Sequence, residues 1–564
     1  MGAFVRPRLT VGIVVLTALL AAPLRAAAPR DELLRFVPPD IGFCVVLQGL
    51  RDTGAALSSS PFMEQFHQSA AGKALQDSKE VHKLLGIEED LKKNFGIGWD
   101  DLRNDILGDA VVFAYRPGKS GEDQGLMLIR ARDGKVLSDL VNRFNKQQMT
   151  DHKLKEIKEL RHKGVVYFAR VEEETTTYYH LRGPVLVFSG QEEMLQRALD
   201  LDRDAPPGAE PLLTTWLREL GADRALLAVY LNPRALDAEY AAKAARPGGE
   251  FLKTFLVYWK AIDGMALSLT LDRDATLAVG VRGRAEALPA PAQKLFGELA
   301  KPSDLWRQCP DNALLAICAR IDFAALVGVL GDFLDPDNRQ KLSQDLNRFL
   351  DSENAAKRVL PFVGPDVALW LAAPTDATHL IPEALFALRT RVVEKGDRVD
   401  EALLDRIKVF AELAKLGFNQ RFPDKPLVKD TVTIDKQEVK FFRSEALPVG
   451  LRPAFALKDG FLMLAGTPDL VGRFVAPPPS SAEGPAPLLR VSFKAWRSYV
   501  EARRVGLTKM LVEKEKLTQD EAAERIDDVL AALAFVDRLD VRLQAGKGHA
   551  VVSIVVQTAR PLRK

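Results

Sequence analysis

Short apolar bursts with period-two alternation recur along the chain, separated by longer stretches in which apolar residues return every three or four positions. The first kind predicts half-buried strands and the second amphipathic helices packed on them. Runs such as IGFCVVL, AVVFAY, ALLAICA and VVSIVV have strand length. Leu137, Leu140, Val141 and Phe144 keep helical spacing, as do Leu403, Ile407, Phe410 and Leu413. GMALSLTLDRDATLAVGVRG and DRLDVRLQAGKGHAVVSIVVQ each place alternating segments around a Gly- or Asp-rich turn, the pattern of a hairpin.

These elements come twice and in the same order. LLRFVPPDIGFCVVLQGL from Leu33 is answered by LWRQCPDNALLAICARIDFAAL from Leu305, each with Pro-Asp before an apolar strand. LGDAVVFAYRPG from Leu107 matches VGPDVALWLAAPTD from Val363, and RGPVLVFSGQEEMLQRAL from Arg182 matches KDGFLMLAGTPDLVGRFV from Lys458. The expectation is an α+β protein formed by tandem duplication, each unit an antiparallel or mixed sheet with helices on one face. The units span residues 29–300 and 301–564, with a Pro-rich internal linker at 476–487. Leu107 to Leu199 should then superpose on Val363 to Val475. The strands Val185 to Phe188 and Phe461 to Leu464 should be largely buried and hold the same sheet position, and Gly190 and Gly466 should stand at matching strand-to-helix turns, which the glycines let the chain make sharply.

Composition adds a compartment to this picture. Arg6 and Arg8 precede an apolar run from Val11 to Ala22, followed by Pro23 and small residues around Ala26 to Ala28. This is the layout of a secretory signal over residues 1–28, with a cut after Ala26 or Ala28 and an uncleaved anchor as the alternative. The run is shorter than the roughly 20 residues a bilayer-spanning helix needs, so no stable membrane insertion is expected after cleavage. The expected location is the periplasm or cell envelope.

The chain carries 78 basic and 76 acidic residues, net +2. Removing Arg6, Arg8 and Arg25 with the signal leaves 2 − 3 = −1. That balance gives nucleic acid nothing to bind. Three cysteines in 564 residues make no disulfide framework. Cys44 and Cys318 lie in apolar strand-like runs and are expected to be buried thiols. Whether Cys309 and Cys318 pair is left open by the sequence.

LLRFVPPD, the phrase FGIGWDDLRNDILGDAVVFAY, and the pair KDGFLMLAG and RGPVLVFSG resemble an exported bacterial family defined as a conserved domain of unknown function. Its phrases are Leu-Pro-Ala-Asp, Leu-Gly-Asp-Glu, and Asp-Gly-x-Leu-Val-Ile-Gly; Trp99 departs from its Gly-Ile-Asp phrase. The resemblance implies export and fold, and supplies no functional residues.

Catalytic and cofactor patterns are missing. Gly118-Lys119-Ser120 lacks the earlier glycine of a phosphate loop, since Phe113 stands there, and is expected at a hairpin tip. His67, His82, His152, His162, His180, His379 and His549 form no zinc spacing and are expected to be exposed. Asp335-Pro336-Asp337-Asn338 begins like a calcium loop but continues with Arg339 and Gln340. No GxSxG or SxxK motif occurs. The basic run from His152 to Lys163 is interleaved with Glu156 and Glu159, as on a solvated face. No catalytic, cofactor-binding or metal residue is therefore assigned. The expectation is a non-enzymatic envelope protein that binds a protein or small-molecule partner. The alternatives are a carrier of an apolar molecule in a sheet-helix cavity, and a hydrolase with a non-local site.

Overall fold

The computed structural model describes residues 28–69, 72–73, 76–118, 123–206, 208–391, 399–478 and 484–562. The expected signal segment falls almost entirely outside the described residues, as do Lys119 and Ser120.

Before Ala300 the strands are β1 (Phe43–Gln48), β2 (Ala110–Arg116), β3 (Gln124–Arg130), β4 (Leu154–His162), β5 (Val165–Glu172), β6 (Thr176–Arg182), β7 (Val185–Ser189), β8 (Leu227–Leu231), β9 (Ile262–Leu271) and β10 (Ala275–Gly283). After it come β11 (Ala313–Arg320), β12 (Val363–Ala372), β13 (Glu383–Thr390), β14 (Val428–Ile434), β15 (Gln437–Arg443), β16 (Ala454–Lys458), β17 (Phe461–Ala465), β18 (Ala486–Ser492), β19 (Val536–Gly546) and β20 (His549–Thr558).

Together these form one 20-stranded sheet. Every registered pairing in it is antiparallel. The spatial order in the first half is β4-β5-β6-β7-β3-β2-β1-β8-β9-β10. The second half runs β14-β15-β16-β17-β13-β12-β11-β18-β19-β20, the same order with each number raised by ten. The halves meet edge to edge through β10 and β20, from Ala275↔Val556 to Arg282↔His549. Each half stays near the usual strand limit for a twisted open sheet, roughly ten, and the seam extends it. β7 and β17 hold the same place, between β3 and β6 and between β13 and β16.

Period-two alternation fixes which residues face which way. Cys44 and Val46 of β1, Val112 and Ala114 of β2, and Leu126 and Leu128 of β3 are buried under helices Pro29–Leu34, Glu192–Asp204 and Leu212–Glu219. In the second half Cys318, Trp370, Leu385 and Met463 are covered by Leu305, Leu470 and Phe474.

Helices were expected on one face, and they occupy both. Val111, Ile129 and Leu186 point the other way and pack on Leu137 and Leu140 of helix Gly134–Thr150 and on Leu102 and Ile106. Leu388 packs on Phe323, Val327 and Leu403, and Leu371 on Trp496, Tyr499 and Ile526. The long connections after β1, β3, β8 and their counterparts supply these extra helices, and their apolar stripes need a surface of their own.

Two further expectations change. Gly190 and Gly466 stand at the predicted turns, but neither has a positive φ, and a Cβ would meet nothing closer than 3.5 Å, so no glycine is required there. β17 is largely buried, as expected, with Phe461, Leu462 and Met463 between 0% and 4% exposed and Leu464 at 40%. The Pro-rich linker is shorter than drawn, because Ala486 and Pro487 already belong to β18. Pro487 is tolerated there because the β18–β19 register shifts between Pro487 and Leu489.

Candidate functional site

Two surfaces merit description. One is a charged cleft of about 820 Å³ at the ends of β1, β8 and β9, lined by Arg30, Arg51, Asp109, Glu210, Arg218 and Asp223 among others. Its carboxylates face arginines. Arg30, only 3% exposed, donates from Nη2 to Asp223 at 2.8 Å and from Nε to Asp31 at 3.1 Å. Asp109 holds Arg51 at 2.8 Å and also Arg130. The hydrogen bond from Arg218 holds the Glu210 carboxyl below its ordinary range, so this group stays ionised rather than poised as an acid. Among the described residues no histidine, cysteine or serine lines the cleft, and Thr53 supplies a hydroxyl. The ion pairs tie helix Pro29–Leu34 to the loop before β8, and helix Leu50–Ser58 to Asp109 just before β2.

The residues examined for chemistry have structural roles. Asp335 caps helix Pro336–Leu350, its Oδ1 accepting from the Asn338 amide at 2.9 Å, and Pro336 fills the first turn. Gly118 lies in the loop between β2 and β3 and donates to Asp123 at 3.2 Å. The basic run after His152 is edge strand β4, with Lys155, Lys158 and Arg161 exposed. Cys44, Cys309 and Cys318 are free, and burial pushes the Cys44 thiol up to about 12.

His180 overturns the expectation of exposed histidines: it is 7% exposed, with Nδ1 2.8 Å from the Val166 carbonyl oxygen. It sits on the covered side of β6, and desolvation lowers its pKa. Among the described residues no group of three or more His, Cys, Asp or Glu side chains could hold a metal ion.

The second surface is the sheet face opposite the main cores. Across it runs a row of directly paired residues: Leu186, Ile129, Val111, Leu47, Leu227, Leu269 and Leu277. It crosses the seam without interruption to Ile554, Val541, Leu489, Ile317, Leu369, Phe386 and Leu464. No polar side chain occurs in it. A neighbouring row pairs Met127, Phe113, Val45, Val229, Leu267, Val279 and Val552.

Helices pack on parts of this face toward its two ends, where Phe113 and Met127 stay 41% exposed and Leu464 40%, and its middle is open. Leu267 is 46% exposed, Leu277 41%, Val279 42% and Val552 39%, all clustered where β10 meets β20. The other side of β10 and β20 is covered and small or apolar: Ala278 is 5% exposed, a Cβ on Gly280 would meet the Leu220 backbone, and Val551 approaches Gly221. One strand further, on β19, Asp540, 2% exposed, takes a hydrogen bond from Arg490 Nε at 2.9 Å and pairs with Arg538 and Arg542. At the seam the large apolar side chains of β10 thus stand on the open side of the sheet and its small ones on the covered side.

Aromatic contacts also join the two halves. Phe62 and Phe66 of helix Pro61–Gln68 meet Phe535 edge-on at 6.4 Å. In the opposite direction Phe333 meets Phe251 at 5.6 Å and Tyr258 at 5.0 Å, and the Tyr258 hydroxyl donates to Asp332 at 2.8 Å. Sequence periodicity marks these strand residues as apolar, but it carries no sign that water would reach them.

No helix among the described residues is long and apolar enough to cross a membrane. The chain matches no family model, no curated protein and no solved structure.

Proposed function

We propose that this chain is an exported, non-enzymatic binding protein built by tandem duplication, and that it engages its partner through the open apolar face at the seam. One observation carries this reading: Leu267, Leu277, Val279 and Val552 form a contiguous apolar patch at about 40% exposure in the middle of a sheet. Large apolar patches left in water mark interaction sites in folded proteins. The identical strand order of the two halves supports duplication, and the seam between them places the patch where both contribute. Export rests on the N-terminal pattern of Arg6, Arg8 and the apolar run to Ala22.

The test compares natively expressed wild type with Leu277→Lys/Val279→Lys by native mass spectrometry. The wild type is expected to carry bound mass that the variant lacks, and identical unliganded masses would overturn the reading. In the same spectra a mature N-terminus between Ala27 and Pro29 is expected; a retained Met1 would refute cleavage.

A further inference from the structure

We infer that β14 is a docking edge and that its occupant is β14 of a second copy of this chain, the two strands pairing antiparallel about Thr431. This surface is separate from the seam face proposed above and does not depend on it.

The turn after β14 fixes which backbone groups are open. Asp435 and Lys436 alone join β14 to β15, both at positive φ, 49° and 65°, and the register runs unbroken from Ile434↔Gln437 to Val428↔Arg443. Two left-handed residues in a two-residue loop make a type I′ turn, which closes on a hydrogen-bonded pair. Bonded and non-bonded pairs alternate from there. Ile434, Val432, Asp430 and Val428 therefore spend their N–H and C=O groups on β15, and Lys429, Thr431 and Thr433 turn theirs outward. Among the described residues no strand pairs with that side. A row of open donors and acceptors at strand spacing is matched by another strand.

Side chains guard one outer edge of the sheet and leave this one free. β4 exposes Lys155, Glu156, Lys158, Glu159 and Arg161, and its register with β5 shifts between Leu154 and Glu156. Charges and bulges of this kind keep other strands off an edge. β14 exposes Val428, Thr431, Val432 and Thr433 instead. Its Lys429 is held by Glu412 at 2.7 Å and its Asp430 by Arg443, so neither charge has to be matched by a newcomer.

Self-complementarity names the occupant. With Thr431 opposite Thr431 of the second copy, Lys429 meets Thr433 and Asp430 meets Val432. Every outward residue then pairs at once, and no like charges face each other. Threonines paired across strands are favourable. The chain already joins its own halves in this way, because β10 and β20, the last strands in the order of each half, pair antiparallel. Beside the edge, helix Val399–Arg421 adds apolar surface for the second copy to cover: Glu412 reaches Lys429, and Leu416, one turn on and on the same side, is 59% exposed.

Sedimentation of the full chain over a concentration series tests this, with far-UV circular dichroism establishing that each variant is folded. The wild type is expected to form a dimer. Thr431→Pro removes an outward N–H without touching the β15 ladder and should weaken that dimer roughly tenfold or more. Glu159→Pro, the same change on β4, should leave it unaltered. Thr431→Lys and Thr431→Asp each set like charges against each other on the two-fold axis and should be monomeric, and an equal mixture of the two should recover the dimer. A wild type that stays monomeric overturns the inference, as does a mixture that fails to associate. A dimer that survives Thr431→Pro and is lost in Leu277→Lys/Val279→Lys belongs to the seam face and overturns it as well.

Discussion

Asp366 and Arg389 lie 3.2 Å apart at the start of β12 and in β13, and Asp109 and Arg130 form the corresponding pair beside β2 and in β3. Each aspartate holds a second arginine, Arg320 for Asp366 and Arg51 for Asp109. The repeated Gly-Asp and Gly-Pro-Asp phrases thus place a carboxylate between arginines in both halves, binding the first strand of the sheet to its neighbours.

Asp366 is the more buried, with a side chain 6% exposed, and it also accepts from Ser303 Oγ at 2.9 Å. Asp366→Ala removes the carboxylate partner of Arg389 and of Ser303 Oγ, Arg320 keeping Glu298, and is expected to cost about 3 kcal/mol, the lower part of the range for breaking a buried pair. Asp109→Ala, at a 14% exposed side chain, should cost less. Urea denaturation of the two variants checks the ranking.

Gly280 of β10 faces the end of helix Leu212–Glu219. A Cβ there would lie 2.3 Å from the Leu220 carbonyl oxygen and 2.8 Å from its carbon, both backbone atoms. Gly280→Ala is therefore expected to destabilise the protein by about 1–3 kcal/mol through overpacking. Gly190→Ala, where nothing lies within 4 Å, should be nearly neutral. Thermal melts of both variants make the comparison.

Burial lowers the His180 pKa below its unfolded value. Below about pH 6.5, the ordinary histidine value, the unfolded chain takes up a proton that the folded chain resists. Its contribution to stability is full above that pH and is lost as pH falls toward the folded pKa. His180→Gln should flatten this acid limb of the stability curve, measured by urea unfolding between pH 5 and 8.

The Cys44 thiol is held up near 12 and Cys309 near 11 by burial, and Cys318 is raised in the same way. Thiolate is the reactive form, so iodoacetamide at pH 8 is expected to label the folded protein slowly and all three cysteines rapidly in guanidinium. Mass spectrometry of timed aliquots reads the difference.

Strand positions and their repeated order were legible because alternation and helical spacing are local. Val185 to Phe188 and Phe461 to Leu464 could be matched from their flanking turns alone. The seam could not: Ala275↔Val556 joins segments far apart in the chain, and nothing in either marks the other as its neighbour. The open face was hidden for a related reason. Leu277 and Ala278 are both apolar residues of a strand expected to be half-buried, and it is Leu277 that is 41% exposed and Ala278 5%. Which side of an apolar strand is covered depends on where distant helices land. His180 escaped in the same way, its neighbour Val166 lying on β5 across a hairpin.

The seam also governs how far the sheet can grow. Because β10 and β20 consume one edge of each half, β4 and β14 remain as the outer strands among the described residues. Unpaired edges of this kind are where molecules add to one another and begin filaments. β4 bears Lys155, Glu156, Lys158, Glu159 and Arg161 exposed to water, and an incoming strand would have to strip water from these charges on every addition. β14 instead exposes Val428 and Val432, its Lys429 and Asp430 being held by Glu412 and Arg443. Edge-to-edge joining is thus spent once inside the molecule and opposed by charge at the β4 end.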